Sequence, residues 1–326
     1  QIARIAERAG LDFVGINDHA HMVSRLNKEE EGRYGTVLVF IGLEFGEEEH
    51  HYLAYGAKRI FPVQGLRPQE VIDRVSRQGG FGFLAHPFEK GMHFREKSRA
   101  YVWNDLSING YAGICIWNFA SRWKERIRSP WHGLFFLLFK HRTLKGPSRR
   151  TLRFWDDQCQ KRRVCAVGGS DAHGTPFRWA GVNFVPLSYR GLLNSINVHV
   201  LLETKSFEDF EGARESIFTS MREGRLFIAH DGLCSASGFK LWYVTDSGRR
   251  IEMGQETRFE PGNLVVECPS RGEIRLFRNG KLDEIWRGLQ ASKRIAAGGV
   301  YRVEVYRRVP LFGLRPWIFS NPVYLR

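Results

Sequence analysis

The chain has 326 residues, enough for two ordinary domains or for one large barrel with an appendage, and its 49 Lys and Arg against 35 Asp and Glu leave a formal charge of +14. That balance favours anionic partners such as phosphate esters, nucleic acid or a membrane surface, without choosing among them. The five cysteines are scattered and form no Cys-x-x-Cys pair, which argues against a disulfide framework or a structural zinc site and for a reducing, cytoplasmic setting; no apolar run nears the roughly 20 residues of a membrane span.

Ile2, Ile5, Ala6 and Ala9 share one helical face that Gly10 brings to a stop. Because this pattern is already under way at Gln1, further residues are expected upstream. A strand at 11–16 follows and ends in Asn17-Asp18-His19-Ala20-His21. The next apolar run, 37–43, ends at Glu44, and after an acidic turn His50-His51 opens another strand. A helix at 68–78 begins on Pro68 and is closed by Gly79-Gly80. It feeds Phe81-Gly82-Phe83-Leu84-Ala85-His86-Pro87, one more strand ending in an imidazole. The strand at 111–118 ends on the amide Asn118.

From 121 to 153 the composition changes to ten Lys or Arg against a single acid, Glu125, around the apolar run 134–139. The segment reads as a basic helical insertion that packs its apolar face inward; contact of residues 132–141 with a membrane is the less favoured alternative. Its aromatics sit in or beside the apolar run, unlike a stacking platform, so the case for nucleic acid is weak.

A helix near 152–159 leads to the strand Val164-Cys165-Ala166-Val167, which runs into Gly168-Gly169-Ser170-Asp171-Ala172-His173. In an extended backbone Asp171 and His173 leave on the same face, which suits one metal held by a carboxylate and an imidazole. Arg178, five residues beyond His173, is a candidate to reach a substrate phosphate, or an ordinary surface arginine. A strand at 182–186 and a helix at 213–223 follow. Beyond Arg225 short alternating runs appear at 239–244, 263–267, 273–277, 300–306 and 323–325, with hairpin signals at Asp246-Ser247-Gly248 and Arg278-Asn279-Gly280.

Strands alternating with helices, with polar residues at their carboxyl ends, describe an α/β fold of the β/α-barrel kind. His19, Glu44, His51, His86, Asp171 and His173 then gather at one end: four imidazoles and two carboxylates, more than one metal needs. The expected division is a barrel over 1–228, with the insertion near 121–153, and a small antiparallel β-sandwich over 229–326.

The motifs Gly15-Ile16-Asn17-Asp18-His19, Gly42-Leu43-Glu44 with His51-Tyr52-Leu53, Leu84-Ala85-His86-Pro87 and Gly168-Gly169-Ser170-Asp171-Ala172-His173 resemble those of the PHP (polymerase and histidinol phosphatase) superfamily, in particular its carbaryl-hydrolase-like metallohydrolase branch. The resemblance implies a distorted (β/α)7 barrel followed by a closing β-domain. It implies that His19, Glu44, His51, His86, Asp171 and His173 hold two or three divalent transition-metal ions, zinc, manganese or iron, with Glu44 bridging. Asp18 would support these ligands or be an accessory one. Two departures stand out: the family's opening His-x-His strand is absent, and Cys115 stands where relatives commonly carry Glu. The implied activity is metal-dependent hydrolysis by a metal-bound hydroxide, first of small anionic phosphate esters, alternatively of carbamate or carboxyl esters. A catalytically dead binding or scaffolding module is the reading from another class.

Overall fold

The computed structural model describes residues 1–92, 100–179, 181–204 and 207–326. Its strands are β1 (Phe13–His19), β2 (Gly32–Tyr34), β3 (Val37–Phe45), β4 (Tyr52–Tyr55), β5 (Phe81–Leu84), β6 (Gly113–Asn118), β7 (Cys165–Gly169), β8 (Phe177–Trp179), β9 (Val182–Phe184), β10 (Ile196–Val200), β11 (Leu226–His230), β12 (Lys240–Thr245), β13 (Arg250–Glu252), β14 (Glu256–Thr257), β15 (Gly262–Arg278), β16 (Lys281–Ile295), β17 (Gly299–Val309), β18 (Gly313–Ser320) and β19 (Val323–Leu325). The helices are α1 (Ile2–Arg8), α2 (Pro68–Arg77), α3 (Phe119–Lys124), α4 (Pro130–Leu138), α5 (Lys140–Thr143), α6 (Arg149–Lys161), α7 (Tyr189–Leu192) and α8 (Phe210–Glu223).

Among the described residues β1 to β7 form one curled sheet in the order β1-β3-β4-β5-β6-β7, with β2 on the side of β3. β1, β3, β5, β6 and β7 run in one direction, and β4 alone in the main path opposes them. Parallel strands covered on both faces read as unbroken apolar runs, and β3 is buried along its whole length. Helix signals hold locally. Pro68 opens α2, with the Glu70 carboxylate accepting from the Arg67 backbone N–H at 3.0 Å, and α8 ends on Gly224 in the left-handed region.

The sheet does not close on itself, since β1 and β7 are its two ends. β10, next to β7 in space, pairs instead with β11, which pairs with β18 and so enters a second sheet of ten strands, β10-β11-β18-β17-β15-β12-β13 with β16 on β15 and β19 on β17. This sheet is antiparallel apart from the short β14–β19 pair. The contact of β7 with β10 and β11 is tight: a Cβ on Gly168 would lie 2.7 Å from Ile228 and 3.0 Å from Ile196. Residues 228 and 229 both lie inside β11, so backbone pairing runs across the position expected to divide two domains.

The runs expected at 263–267 and 273–277 are one strand, β15, interrupted by a register shift between Glu267 and Gly272. β15 turns into β16 through Asn279 and Gly280, both at positive φ, as a two-residue hairpin turn requires.

Polar side chains staple the second sheet to the first sheet and to α6. Asn321, fully buried, accepts from the Ala166 N–H at 2.7 Å and donates to the carbonyls of Ala166 and Leu226. The Arg302 guanidinium makes a bidentate pair with Asp156 of α6 at 2.6 and 2.9 Å and bonds Glu304 at 2.6 Å, all three residues being buried.

The insertion is tied to the rest at α5. Lys140 Nζ donates to the Gly191 carbonyl at 2.7 Å, and His141 Nδ1 lies 3.2 Å from Nε2 of the buried His230. Burial holds both imidazoles down, His141 to about 4 with Lys140 adding to the effect, and His230 to about 3 with His141 adding and Asp231 opposing. Both are therefore neutral at pH 7. Because the unfolded chain takes up these protons near the ordinary value of 6.5 and the folded chain does not, stability is full above that pH and falls as the pH drops toward 4. Urea midpoints should fall between pH 7.5 and pH 5, with His230 contributing on the order of 1–2 kcal/mol, and His230→Gln should flatten the dependence.

The basic insertion departs from expectation. Phe136 and Leu137 pack against the core, but no residue of α4 is buried, and Trp131 and Leu138 are 70% and 69% exposed.

Candidate metal centre

Strand adjacency brings the candidate ligands together. β1 and β3 pair in parallel with His19 beside Glu44. The turn after β3 reverses the chain so that His51, one residue before β4, returns to Glu44, and the pairing of Tyr52 with Leu84 places His86 just past the end of β5 at the same edge. The Ala85 N–H donates to the His51 carbonyl at 2.9 Å, locking that alignment. β6 and β7 end together, Asn118 beside Gly169, which delivers the loop carrying Asp171 and His173.

Glu44 is the hub. Its Oε1 lies 2.6 Å from His51 Nδ1 and 3.6 Å from His86 Nε2, and its Oε2 lies 3.5 Å from His19 Nδ1. One donor atom each from His19, Glu44 and His51 falls within 4.8 Å of the others. His173 joins from the far side, its Nε2 3.3 Å from His19 Nε2, and Asp171 is fixed by the Asn118 side-chain amide, which donates to Oδ2 at 3.1 Å. The six residues named from the sequence thus lie near one another at one end of the sheet, but only His19, Glu44 and His51 bring donor atoms within 4.8 Å of one another; His51 and Glu44 are only 2% and 5% exposed.

The electrostatics match a site built around negative charge. Burial pushes the Glu44 carboxyl up, but hydrogen bonds from His51 and His86 outweigh it and hold the group well below the usual carboxylate range. Burial pulls His86 down, yet the hydrogen bond to Glu44 and the charges of Glu89 and Asp171 carry it up to about 9. His19 is lowered, first by burial against the opposing pull of Glu44, then by the neighbouring imidazoles. His86 and Asp171 also take left-handed backbone, φ 29 and 52, at an expense of about 1–3 kcal/mol each, a strain that persists only where surrounding structure imposes it.

Several neighbours were not visible as site residues in the sequence. Glu89 is buried and lies 3.6 Å from His86 Nδ1 and 3.2 Å from Lys124 Nζ of α3, so a charged chain runs from the His86 ring into the insertion. The spacing of Glu89, three residues after His86 and across the Pro87 turn, was the available signal. Tyr101 stacks on His51 at 4.4 Å between ring centres. His199 and Asp231, 2.8 Å apart, line the same cavity of about 1100 Å³ as His19, Glu44, His86, Asp171 and His173. Nothing local linked that pair, since β10 and β11 meet only in the fold.

Asp18 lines the cavity and is exposed to it. Arg178 lies exposed on β8 and is not part of the cavity wall. Cys115 lines the cavity, and burial pushes its thiol up to about 12.

The donor set fits divalent transition metals. Imidazole and carboxylate are the ligands such ions take, and His19 Nδ1, His51 Nε2 and His86 Nδ1 are buried without a hydrogen-bond partner, a costly state that coordination or a proton would relieve.

No protein-family model matches the chain. It is 31% identical over 87 residues to an uncharacterized protein of Methanocaldococcus jannaschii, a match covering 27% of this chain and 50% of the relative, so the chain spans about half the length of the curated relative it matches. Among solved structures it is similar to a two-domain protein from Bacteroides vulgatus containing a "predicted PHP-like metal-dependent phosphoesterase", at a TM-score of 0.39 and 13% identity, over 98% of this chain and 89% of that one.

Proposed function

We propose that the chain is a metal-dependent hydrolase of the PHP kind, whose curled sheet forms the wall of a distorted (β/α)7 barrel and whose preferred substrates are small phosphate esters. The observation that carries the reading is the cluster centred on Glu44, a buried carboxylate touching three imidazoles at the edge where parallel strands end. His19, Glu44, His51, His86, Asp171 and His173 would hold two or three zinc, manganese or iron ions. When bound, such ions supply an activated water and neutralise charge that develops on the attacked centre.

The chain's own residues prepare that chemistry. Asn118 orients Asp171, Glu89 sets a charge beside the His86 ring with Lys124 behind it, and Tyr101 covers His51 and limits the approach of water. His199, held by Asp231, stands in the same cavity as a proton carrier for a departing group. Asp18, also in the cavity wall, would assist the ligands from β1. The excess of positive charge favours an anionic substrate, though Arg178, exposed outside the cavity wall, has no part in the proposal.

The deciding experiment is a panel of nitrophenyl phosphates, nucleotides and carbamate esters assayed after reconstitution with zinc, manganese or iron. Turnover of phosphate esters that chelation removes and metal restores is expected. Turnover of carbamates or carboxyl esters alone would transfer the reading to carbon centres, and retention of less than about one equivalent of metal would end it.

A further inference from the structure

We propose that α4 and the β17–β18 turn together form a docking surface for an anionic lipid bilayer. The surface is separate from the metal-ligand cluster and does not rest on the chemistry proposed there.

Two elements distant in sequence supply it. α4 and the residue after it leave Trp131, Leu134, Phe135, Leu138 and Phe139 exposed, while Leu311, at the tip between β17 and β18, is 103% exposed, more than in an extended peptide, and therefore protrudes. The two meet where the rings of Phe139 and Phe312 lie 5.7 Å apart and where Arg315 Nε donates to the Arg142 carbonyl at 2.7 Å. Underneath, the helix is anchored: Phe136 packs against the core beneath the Arg126 guanidinium at 4.0 Å, and α5 is bonded to Gly191 and His230. The apolar residues are thus presented on a fixed support and are not the loose end of a chain.

Charge selects the occupant. Residues 121–153 hold ten Lys or Arg and one acid, and residues 305–317 add Arg307, Arg308 and Arg315 with no acid. Arg128, Arg142, Lys145 and Arg308 are exposed, and Lys145 is pulled down first by burial and then by the crowding of Arg126, Arg122, Arg315 and Arg128. Tryptophan, phenylalanine and leucine ringed by Arg and Lys suit the interface of a bilayer bearing negative headgroups, where the apolar groups enter the acyl boundary and the cations meet phosphate. A second copy fits worse, because a twofold contact would press two basic rings together. Among the described residues no helix is long and apolar enough to cross a membrane, so the contact is peripheral.

The test is co-sedimentation of the intact chain with phosphatidylcholine vesicles, with and without phosphatidylserine, at low and high salt. Binding is expected to require phosphatidylserine and to weaken with salt, and Leu138→Glu and Leu311→Glu should each reduce it roughly tenfold or more. Both side chains are largely exposed, so the fold is expected to survive, as circular dichroism would show. The proposal fails if the parent chain stays in the supernatant, if it binds neutral vesicles equally well, or if both variants bind like the parent. It fails also if light scattering finds a dimer that Leu138→Glu dissociates, which would assign the surface to a second copy.

Discussion

Glu44→Gln is expected to abolish metal retention and to lower hydrolysis by more than the roughly 10–100-fold that loss of a supporting partner costs a metal site. Glu44 is the group that His19, His51 and His86 all approach, so its charge organises the whole donor set. The amide keeps the shape and one acceptor oxygen but removes the negative charge that offsets bound cations. Two readouts separate loss of metal from loss of fold. Zinc should raise the unfolding midpoint of the parent chain by binding the native state and leave that of the variant unchanged. The variant should otherwise retain the far-ultraviolet circular dichroism of the parent. A variant that still retains about two equivalents of metal would show that the Glu44 carboxylate is not a ligand, and the central role given to it would fall. Asn118→Ala, which frees Asp171 without touching the hub, should produce the smaller effect of a lost supporting partner.

Asp156→Ala is expected to be among the most destabilising single changes in the chain, by about 3–5 kcal/mol, because it leaves the buried Arg302 guanidinium without its bidentate partner. Glu304 stays in contact with Arg302, which places the expected effect toward the lower end of that range. A largely solvated pair gives the comparison: Arg250, exposed, and Glu252, half-buried, lie 2.5 Å apart on β13, yet Arg250→Ala should cost less than about 1 kcal/mol. Since the Asp156–Arg302 pair ties α6 to the second sheet and the Asn321 bonds join the two sheets, fluorescence and circular dichroism should report one coincident urea transition in the parent chain. Two separated transitions in the parent would favour independent units divided near 228/229.

Much of the candidate site could be read in the sequence because its residues follow apolar runs. A strand buried on both faces, as β3 and β7 largely are, appears as consecutive apolar residues, and the polar residues in the short stretch at its end lie at the sheet edge where sites form. His19, Glu44, His86 and Asp171 were found in this way, and His51 and His173 by their nearness to them in sequence. The supporting residues were not. Glu89, Asn118, Tyr101 and the His199–Asp231 pair act through contacts between segments, and their types are as common on ordinary surfaces as in sites.

Strand partners were hidden for a related reason. β16 is an edge strand with little buried, so its sequence carries no apolar period, and residues 281–295 were not recognised although they form one of the longest strands in the molecule. The apolar run of α4 was expected to face inward, because local hydrophobicity indicates that a face seeks cover without saying whether protein provides it.

The sequence by itself determined which polar residues stand near the ends of the main strands of the first sheet and where the tightest turns lie, since each follows from hydrophobic runs, glycine and short-range backbone preference. Only the tertiary structure decided that β10 and β11 join the second sheet, that Asn321 binds the two sheets together while Arg302 ties the second sheet to α6, and that His19, His51 and His86 meet around Glu44. The physical reason is that every strand edge offers the same backbone donors and acceptors. Pairing is therefore chosen by the packing of side chains far apart in the chain, as at Gly168, where a single Cβ would push Ile196 and Ile228 away.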